Sequence, residues 1–331
     1  MKKILVTSII CFLFQYLQAQ TVKLLTSGKK LSMRGLSVVD DKTVWVSGSG
    51  GTVGLSVDSG HTWKWMNVKG YEKNDFRDIE AFDAKTAIIM GIDTPAVILK
   101  TTNAGETWKL VFEDKTPGMF LDAIEFWNEQ SGIVIGDPIN GKMFIARTFD
   151  AGNSWRSIPE AYMPAVDSGE ACFASSGTNI RKLNKAEAVF ITGGKKSRVF
   201  IRDQKLEMPI LQGKESTGAN SIAIKNKKIF MVVGGDFNTK DSAFKNCIVT
   251  KDAGKTWMAP EIPPHGYRSC VEYLDKKNWV SCGLNGVDYS TDEGKTFTWI
   301  SKDGYHVCRK AKKGKAVFFA GGGGRIGKLE Y

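Results

Sequence analysis

Polar side chains recur near the start of successive apolar segments of this sequence, where they could act together on one ligand. They are Arg34, Arg77, Asp78, Asp122, Glu170, Asn220, Arg268 and His306. Guanidinium groups placed beside carboxylates can bind an anion or a sugar. They can equally pair with one another and keep a hydrated channel neutral. The sequence leaves both interpretations open.

Metal and cofactor sites are not predicted. The chain has 3 histidines, too few for a histidine-rich metal site. Gly322, Gly324 and Gly327 match a dinucleotide-binding pattern, but the helix and second strand that this motif requires cannot follow before Tyr331. We also expect no nucleic acid partner, since no recognition motif for one is present.

The cysteines after residue 19 contain no Cys-x-x-Cys pair, so a thioredoxin-like redox centre is unsupported. Cys270 and Cys282 fall on adjacent strands of one predicted hairpin, and Cys308 falls on the next repeat unit. Two interpretations remain open for them. Cys270 and Cys282 form a disulfide in an oxidising compartment, or all these cysteines are small buried apolar side chains.

One eight-residue motif, of the form Ser/Thr-x-Asp-x-Gly-x-Thr-Trp, occurs five times with single substitutions. The copies span residues 56–63, 101–108, 148–155, 250–257 and 290–297. The acidic side chain can accept hydrogen bonds from amides of its own turn, and the glycine can adopt the positive φ that the turn needs. We call these motifs Asp-boxes and predict a structural role, not a catalytic one, for their acidic positions: Asp58, Asn103, Asp150, Asp252 and Asp292.

A second pattern occurs seven times: an apolar strand that ends in glycine, a short turn and another apolar strand. The closing glycines are Gly48, Gly91, Gly136, Gly193, Gly234, Gly283 and Gly321. Successive glycines are 38–57 residues apart, and most of these spacings match the roughly 40–50 residues of a four-stranded propeller blade. We therefore predict an all-β, seven-bladed β-propeller that forms one domain over residues 20–331.

Two units depart from this pattern. The fourth has Arg202-Asp203-Gln204-Lys205 in place of an Asp-box and is predicted to be a degenerate blade. The last unit reaches Tyr331 after three strands, so we expect its outer strand to come from residues 21–25. Closing the ring with this N-terminal strand removes exposed sheet edges.

Aligning the units places the polar side chains at the mouth of the central channel. The innermost strands are predicted at 34–39, 77–82, 121–126, 170–174, 220–224, 268–273 and 306–311. Inner strands of a propeller surround its central channel. The eight leading side chains named above are therefore expected to converge there.

The first 19 residues have the pattern of a secretory signal peptide. Lys2 and Lys3 precede an uncharged apolar run, and Ala19 is the small residue that a signal peptidase requires. The run is shorter than the roughly 20 apolar residues of a membrane-spanning helix. We expect a soluble, exported monomer, periplasmic or extracellular. The formal charge of +11 favours acidic partners, although lysines in hairpin turns would account for it equally well.

The five Asp-boxes, the seven-unit spacing and the glycine-rich second turns resemble the photosystem II stability and assembly factor family, and more broadly the bacterial neuraminidase repeat proteins. Residues 76–82, 99–108, 123–137 and 169–180 look like a subgroup of exported bacterial propellers that often carry an oxidoreductase label. Nothing in these residues supports redox chemistry. The assembly-factor resemblance implies a propeller that binds a membrane-protein precursor through an arginine-rich face. We therefore expect a binding or assembly factor with an envelope or membrane protein as its partner.

Sialidases and propeller xyloglucanases share the Asp-box, which gives an alternative: a glycoside hydrolase or a glycan-binding propeller. Two carboxyl groups among Asp78, Asp122 and Glu170 would do the chemistry, at roughly 5–10 Å from each other. A sialidase would instead need a tyrosine beside a glutamate, for which Tyr267 and Tyr305 with Glu170 are the nearest candidates. Arg34-Gly35-Leu36 stands where a sialidase has Arg-Ile-Pro. We assign no catalytic residue.

Overall fold

The computed structural model describes residues 20–331, and the predicted signal peptide lies outside them. The described chain forms seven antiparallel sheets arranged as the blades of a propeller. Six clusters of apolar side chains form the core, and each cluster packs neighbouring sheets against one another. The predicted all-β, seven-bladed architecture is confirmed. No helix in residues 20–331 is long and apolar enough to cross a membrane.

The first half of the ring follows the predicted order. Strand β1 (Thr21–Thr26) is followed by blade 1, with β2 (Met33–Val38), β3 (Val44–Gly48), β4 (Thr52–Ser56) and β5 (Lys64–Asn67). Blade 2 has β6 (Phe76–Ala81), β7 (Ala87–Gly91), β8 (Ala96–Thr101) and β9 (Lys109–Asp114). Blade 3 has β10 (Leu121–Phe126), β11 (Gly132–Ile139), β12 (Lys142–Thr148) and β13 (Arg156–Ser157), and a 3-10 turn at Glu160–Tyr162 follows it.

The middle of the chain is less regular. It contains β14 (Glu170–Ala171), β15 (Ile180–Lys182), β16 (Ala188–Ile191), β17 (Gly193–Gly194), β18 (Arg198–Ile201) and β19 (Gln204–Glu207). Blade 4 is formed by β15, β16, β18 and β19. Blade 5 has β20 (Thr217–Ile224), β21 (Phe230–Asp236) and β22 (Cys247–Thr250), and its sheet also includes β17 and β14.

The last two blades close the ring. Blade 6 has β23 (Cys270–Asp275), β24 (Asn278–Gly283), β25 (Gly286–Ser290) and β26 (Thr298–Ser301). Blade 7 has β27 (Val307–Lys310), β28 (Val317–Ala320) and β29 (Ile326–Glu330). Its outer strand is β1, in which Thr21 pairs with Glu330. The predicted closure by the N-terminal strand is therefore confirmed.

The acidic positions of the five Asp-boxes hold tight turns. In the first box, Asp58 accepts hydrogen bonds from the amide of Thr62 (2.9 Å), the hydroxyl of Thr62 (2.6 Å) and the hydroxyl of Ser56 (2.8 Å). The bonds from Thr62 and Ser56 lower the pKa of Asp58 to about 2. The bond from the backbone amide recurs at the other four boxes. In the second box, the side-chain amide of Asn103 donates to the hydroxyl of Thr107 at 2.9 Å. In blade 4, Arg202 and Asp203 instead form a two-residue turn, in which Ile201 pairs with Gln204.

The sequence alignment was wrong about the inner strand of blade 4. The prediction placed it at residues 170–174, but the structure has β15 (Ile180–Lys182) in that position. Glu170 and Ala171 instead pair with Gly194 and Gly193. Residues 172–179 enter the central channel, so the apolar residues 172–174 lie there and not in blade 4.

Candidate functional site

A β-bulge near the start of four inner strands positions the candidate side chains. Arg34, Arg77, Asp122 and Asn220 are each skipped in the pairing with the second strand of their blade. A bulge turns the extra residue out of the ladder and re-aims its side chain. The opposing residue is one of the closing glycines, and a Cβ on Gly48 would lie 2.1 Å from the carbonyl oxygen of Ser32. Glycine is needed there because two backbones approach closely.

A cavity of about 440 Å³, the mouth cavity, opens at this end of the channel. Half of the eight predicted side chains line it: Arg34, Arg77, Asn220 and His306. Its apolar lining comes largely from Phe120, Phe173, Phe237, Tyr267 and Leu284. Phe237 packs edge-to-face on both Phe173 and Tyr267, with ring centroids 6.1 and 6.4 Å apart. The cavity thus combines cationic groups with a wall of apolar rings.

Arg34 is the guanidinium in this cavity without a carboxylate partner. The Nε of Arg77 lies 2.8 Å from a carboxylate oxygen of Asp75. Within residues 20–331, Arg34 forms no salt bridge, and its hydrogen bond is one from Nη1 to the carbonyl oxygen of Ser175, at 3.4 Å. Burial, and next the charge of Arg77, lower the pKa of Arg34. A half-buried cation in this state gains free energy when an anion binds beside it.

His306 and Asn220 contribute neutral polar groups. Burial and the charges of Arg34 and Arg77 lower the pKa of His306 to about 3. Its imidazole is therefore uncharged at neutral pH, and Nε2 lies 3.2 Å from the hydroxyl of Ser32. The side-chain oxygen of Asn220 accepts a hydrogen bond from the Tyr267 hydroxyl at 2.8 Å.

Asp137 is a mouth-cavity residue that the sequence interpretation missed. It lines the cavity and accepts a hydrogen bond from the amide of Cys172 at 3.0 Å. Burial raises its pKa to about 6. Asp122 lies behind it, fully buried, and burial together with Asp137 raises the pKa of Asp122 well above its usual value. A sequence signal existed: Asp137 follows Gly136, the closing glycine of blade 3.

The other four predicted residues do not line the mouth cavity. Arg268 is fully buried and bonded to Asp288, and Nη1 also donates to Asn285 at 2.6 Å. Glu170 is paired with Arg198 and accepts a hydrogen bond from the Thr192 hydroxyl at 2.5 Å. These groups satisfy each other away from the channel. Asp122 is buried behind Asp137, and Asp78 lies further along the channel.

Residues 172–179 cross the channel and are called the plug here. Three hydrogen bonds tie the plug to separate blades: Thr178 to Ser221 (2.6 Å), Ser176 to the carbonyl of Ser269 (2.8 Å), and Arg309 to the carbonyl of Gly177 (2.9 Å). Gly177 has φ +61°, and a Cβ there would lie 2.2 Å from Cγ of Asp78. Only glycine fits this combination of conformation and contact.

Beyond the plug lies a second cavity of about 460 Å³, the far cavity, which includes Asp78. Two of its cations pair with carboxylates. Arg181 lies 3.4 Å from Glu272 and 3.8 Å from Glu125, and Lys312 lies 2.7 Å from Glu80. Asp78 accepts hydrogen bonds from the amides of Ile79 and Ile124, both at 2.8 Å. Burial raises the pKa of Asp78 to about 7, although the charge of Arg309 opposes the rise.

The fold is that of solved propellers with little sequence in common. A structure described as YCF48 bound to D1 peptide matches with a TM-score of 0.67 at 14% identity, over 94% of this chain and 95% of that one. YCF48 from Cyanidioschyzon merolae matches with a TM-score of 0.67 at 15% identity, over 94% and 99%. The WD40 propeller domain of Doa1 matches with a TM-score of 0.63 at 14% identity, over 93% and 97%. No protein-family model matches the chain, and no curated protein matches it.

Proposed function

We propose that this chain is a non-catalytic propeller that binds an acidic segment of a partner protein in the mouth cavity. Arg34 carries the proposal, because it is a half-buried guanidinium without a carboxylate partner among the described residues. A carboxylate from the partner would supply the missing charge through a charge-assisted hydrogen bond. An uncompensated buried charge weakens a fold, so its presence is more readily explained by binding than by stability.

The apolar wall supports a peptide rather than a free inorganic anion. Phe237 and Leu284 are 41% and 38% exposed, and both face the cavity that Arg34 lines. An aliphatic or aromatic side chain next to the acidic residue would bury its surface against them. The solved structure described as YCF48 bound to D1 peptide supports peptide binding by a propeller of this fold.

The carboxyl groups favour binding over hydrolysis of a glycosidic bond. Hydrolysis by this route needs two carboxyl groups that both reach the substrate. Among the described residues lining the mouth cavity, Asp137 is the one carboxyl. Asp122 is fully buried behind it, and Glu170 is bonded to Arg198.

We further propose that residues 1–19 direct export and that the partner is a protein of the cell envelope. The signal-like pattern and the formal charge of +11 support this location and an acidic partner. Crosslinking in intact cells that express the tagged full chain, followed by fractionation and mass spectrometry, would identify the compartment and the attached protein. Recovery of the tagged chain in the cytoplasm with its first residues intact would contradict the export proposal.

The peptide proposal is tested with an array of synthetic peptides that combine Asp or Glu with apolar residues, probed with residues 20–331. We expect selective binding that weakens at high salt, since it depends on a charge pair. Arg34→Gln should weaken binding at least about 10-fold, in line with the loss of a charged hydrogen bond.

Arg156→Gln is the matched control, because Arg156 is an exposed arginine on the outer strand β13. It should bind the same peptides as the unchanged protein. Equal binding by the Arg34 variant, or binding to neutral peptides as strong as to acidic ones, would overturn the assignment of Arg34. Release of sugar from glycan substrates by the unchanged protein would overturn the non-catalytic proposal.

A further inference from the structure

Three cysteines from two adjacent blades meet in the core. Cys270 and Cys282 are direct partners across the hairpin β23–β24, and Cys308 lies on β27. The three Sγ atoms all lie within 4.8 Å of one another, and those of Cys270 and Cys308 are 3.6 Å apart. Each side chain is fully buried. The proposed peptide binding does not involve this cluster.

The spacing of the sulfur atoms fits one metal ion at their centre. With metal–sulfur bonds of about 2.3 Å, three thiolates in a trigonal plane have sulfur atoms about 4 Å apart. The observed separations need only small side-chain movements to reach that geometry. Among residues 20–331, no histidine or carboxylate joins the three sulfurs as a fourth ligand.

From this donor set we infer that Cys270, Cys282 and Cys308 form a three-coordinate thiolate site for a soft monovalent metal ion, copper(I). Soft thiolate donors select copper(I) and zinc. Zinc in structural sites takes four ligands in a tetrahedron. A set of three sulfurs therefore favours copper(I).

Apolar side chains enclose the cluster. They include Val280, Phe319 and Tyr305. Cysteine ligates a metal as the thiolate, so metal binding would release the protons of the three thiols to solvent.

A disulfide between Cys270 and Cys282 is the competing outcome. Its formation would oxidise both thiols, remove two hydrogen atoms and leave Cys308 as a single thiol beside the bridge. Such a protein could not supply three thiolates. The mass of the intact chain distinguishes the two states.

The test uses residues 20–331, reduced with a phosphine and refolded from urea under argon with copper(I) present, since the buried thiols offer no open path. Copper retained against the chelator bathocuproine disulfonate is then measured. We expect one copper(I) per chain, three sulfur ligands by X-ray absorption and a higher Tm than for the metal-free protein. Cys308→Ala should reduce the affinity at least about 100-fold and abolish the gain in Tm.

Cys172→Ala and Cys247→Ala are matched controls, because both cysteines are buried but lie outside the cluster. They should bind copper(I) like the unchanged protein. Cys308→Ser keeps the side-chain volume and serves if Cys308→Ala does not fold. The inference is overturned if no copper is retained, if zinc displaces copper(I), or if Cys308→Ser binds as tightly as the unchanged protein. Persistence of a Cys270–Cys282 disulfide after reduction, with no metal bound, would also overturn it.

Discussion

The mouth cavity and the far cavity occupy two parts of one channel, and they differ in whether their cations have carboxylate partners. In the far cavity, Arg181 and Lys312 each lie within 4 Å of a carboxylate. In the mouth cavity, Arg34 has no carboxylate partner in residues 20–331, and the nearby wall is aromatic. The plug crosses the channel and contributes residues 172–175 to the lining of the mouth cavity.

The number of charged residues in a channel therefore does not identify a binding site. The far cavity holds more charged groups than the mouth cavity. Arg181 and Lys312 are already in ion pairs there. Burial would lower the pKa of Arg309, but the charges of nearby carboxylates raise it above its usual value, so an anion would meet cations that already have counter-charges. The mouth cavity has fewer charges, and Arg34 there has a lowered pKa and no carboxylate within 4 Å among the described residues. The mouth cavity is therefore the better candidate for recognition, and the far cavity for structural support.

Removing a cation from the far cavity should give the largest loss of stability. Arg309 donates to the carbonyl oxygens of Leu36 and Gly177, and its charge opposes the rise in pKa of Asp78. Arg309→Met should lower the free energy of unfolding by about 2–4 kcal/mol, because it leaves carboxylates without a counter-charge and removes a bond to the plug. Denaturant unfolding monitored by tryptophan fluorescence measures the change.

A double variant sharpens this prediction. Asp78→Asn added to Arg309→Met should recover part of the lost stability, since it removes a buried carboxylate that has lost its counter-charge. The exposed arginine variant Arg156→Met is the control for loss of a positive charge. Losses of equal size in the two single-arginine variants would contradict the structural role assigned to the far cavity.

The pH dependence of stability should separate the two cavities. Burial raises the pKa of Asp137 to about 6 and the pKa of Asp78 to about 7. The folded chain therefore binds more protons than the unfolded chain, so stability is highest near pH 4 and falls as pH rises through 6 and 7. Asp122→Asn should reduce the loss between pH 5 and pH 8 by about 1–2 kcal/mol, because it removes a carboxyl group whose own pKa is raised by burial and by the charge of Asp137.

Thermal and denaturant unfolding at several pH values test this prediction. Asp78→Asn is the corresponding change in the far cavity, and it should remove the part of the slope that extends from about pH 4 up to about pH 7. Asp58→Asn is the control with the opposite sign. The pKa of Asp58 is lowered to about 2, so it stabilises the fold above pH 4, and that stability is lost as pH falls toward 2. A chain that gains stability from pH 5 to pH 8 would contradict the assignment of both buried carboxyls.

The sequence predicted the ring well because its repeat carries a physical requirement in every blade. Each Asp-box needs an acceptor and a glycine to close its turn, and each closing glycine marks a close backbone approach. These local rules predicted the blade count, the degenerate fourth unit and the closure by β1. Alignment of the repeat units also predicted Arg34, Arg77, Asn220 and His306 at the channel mouth, and these four side chains line the mouth cavity.

The plug and the pairing of the charges were not predictable from the same rules. Residues 171–174 are apolar like an inner strand, and only long-range contacts place the following segment in the channel. Arg268 and Glu170 occupy positions similar to those of mouth residues, but Asp288 and Arg198 pair with them inside the protein. Those partners lie 20 and 28 residues further along the chain. Pairing at such distances depends on tertiary structure.

The smallest expected change in stability comes from Arg34, and it is the most direct test of the contrast. Arg34 donates one long hydrogen bond and has no carboxylate partner in the described chain. Arg34→Gln should therefore change the free energy of unfolding by less than about 0.5 kcal/mol, or raise it slightly, because a half-buried charge is removed.

The same denaturant series that measures Arg309→Met measures this change. Arg77→Gln is the comparison within the mouth cavity, because Arg77 is paired with Asp75 and its loss leaves that carboxylate alone. Arg77→Gln should be the more destabilising of the two. If Arg34→Gln instead costs as much stability as Arg309→Met, then Arg34 holds the ring together, and its lack of a carboxylate partner no longer points to a ligand. A neutral effect on stability together with weaker peptide binding is the combination that only a recognition residue would give.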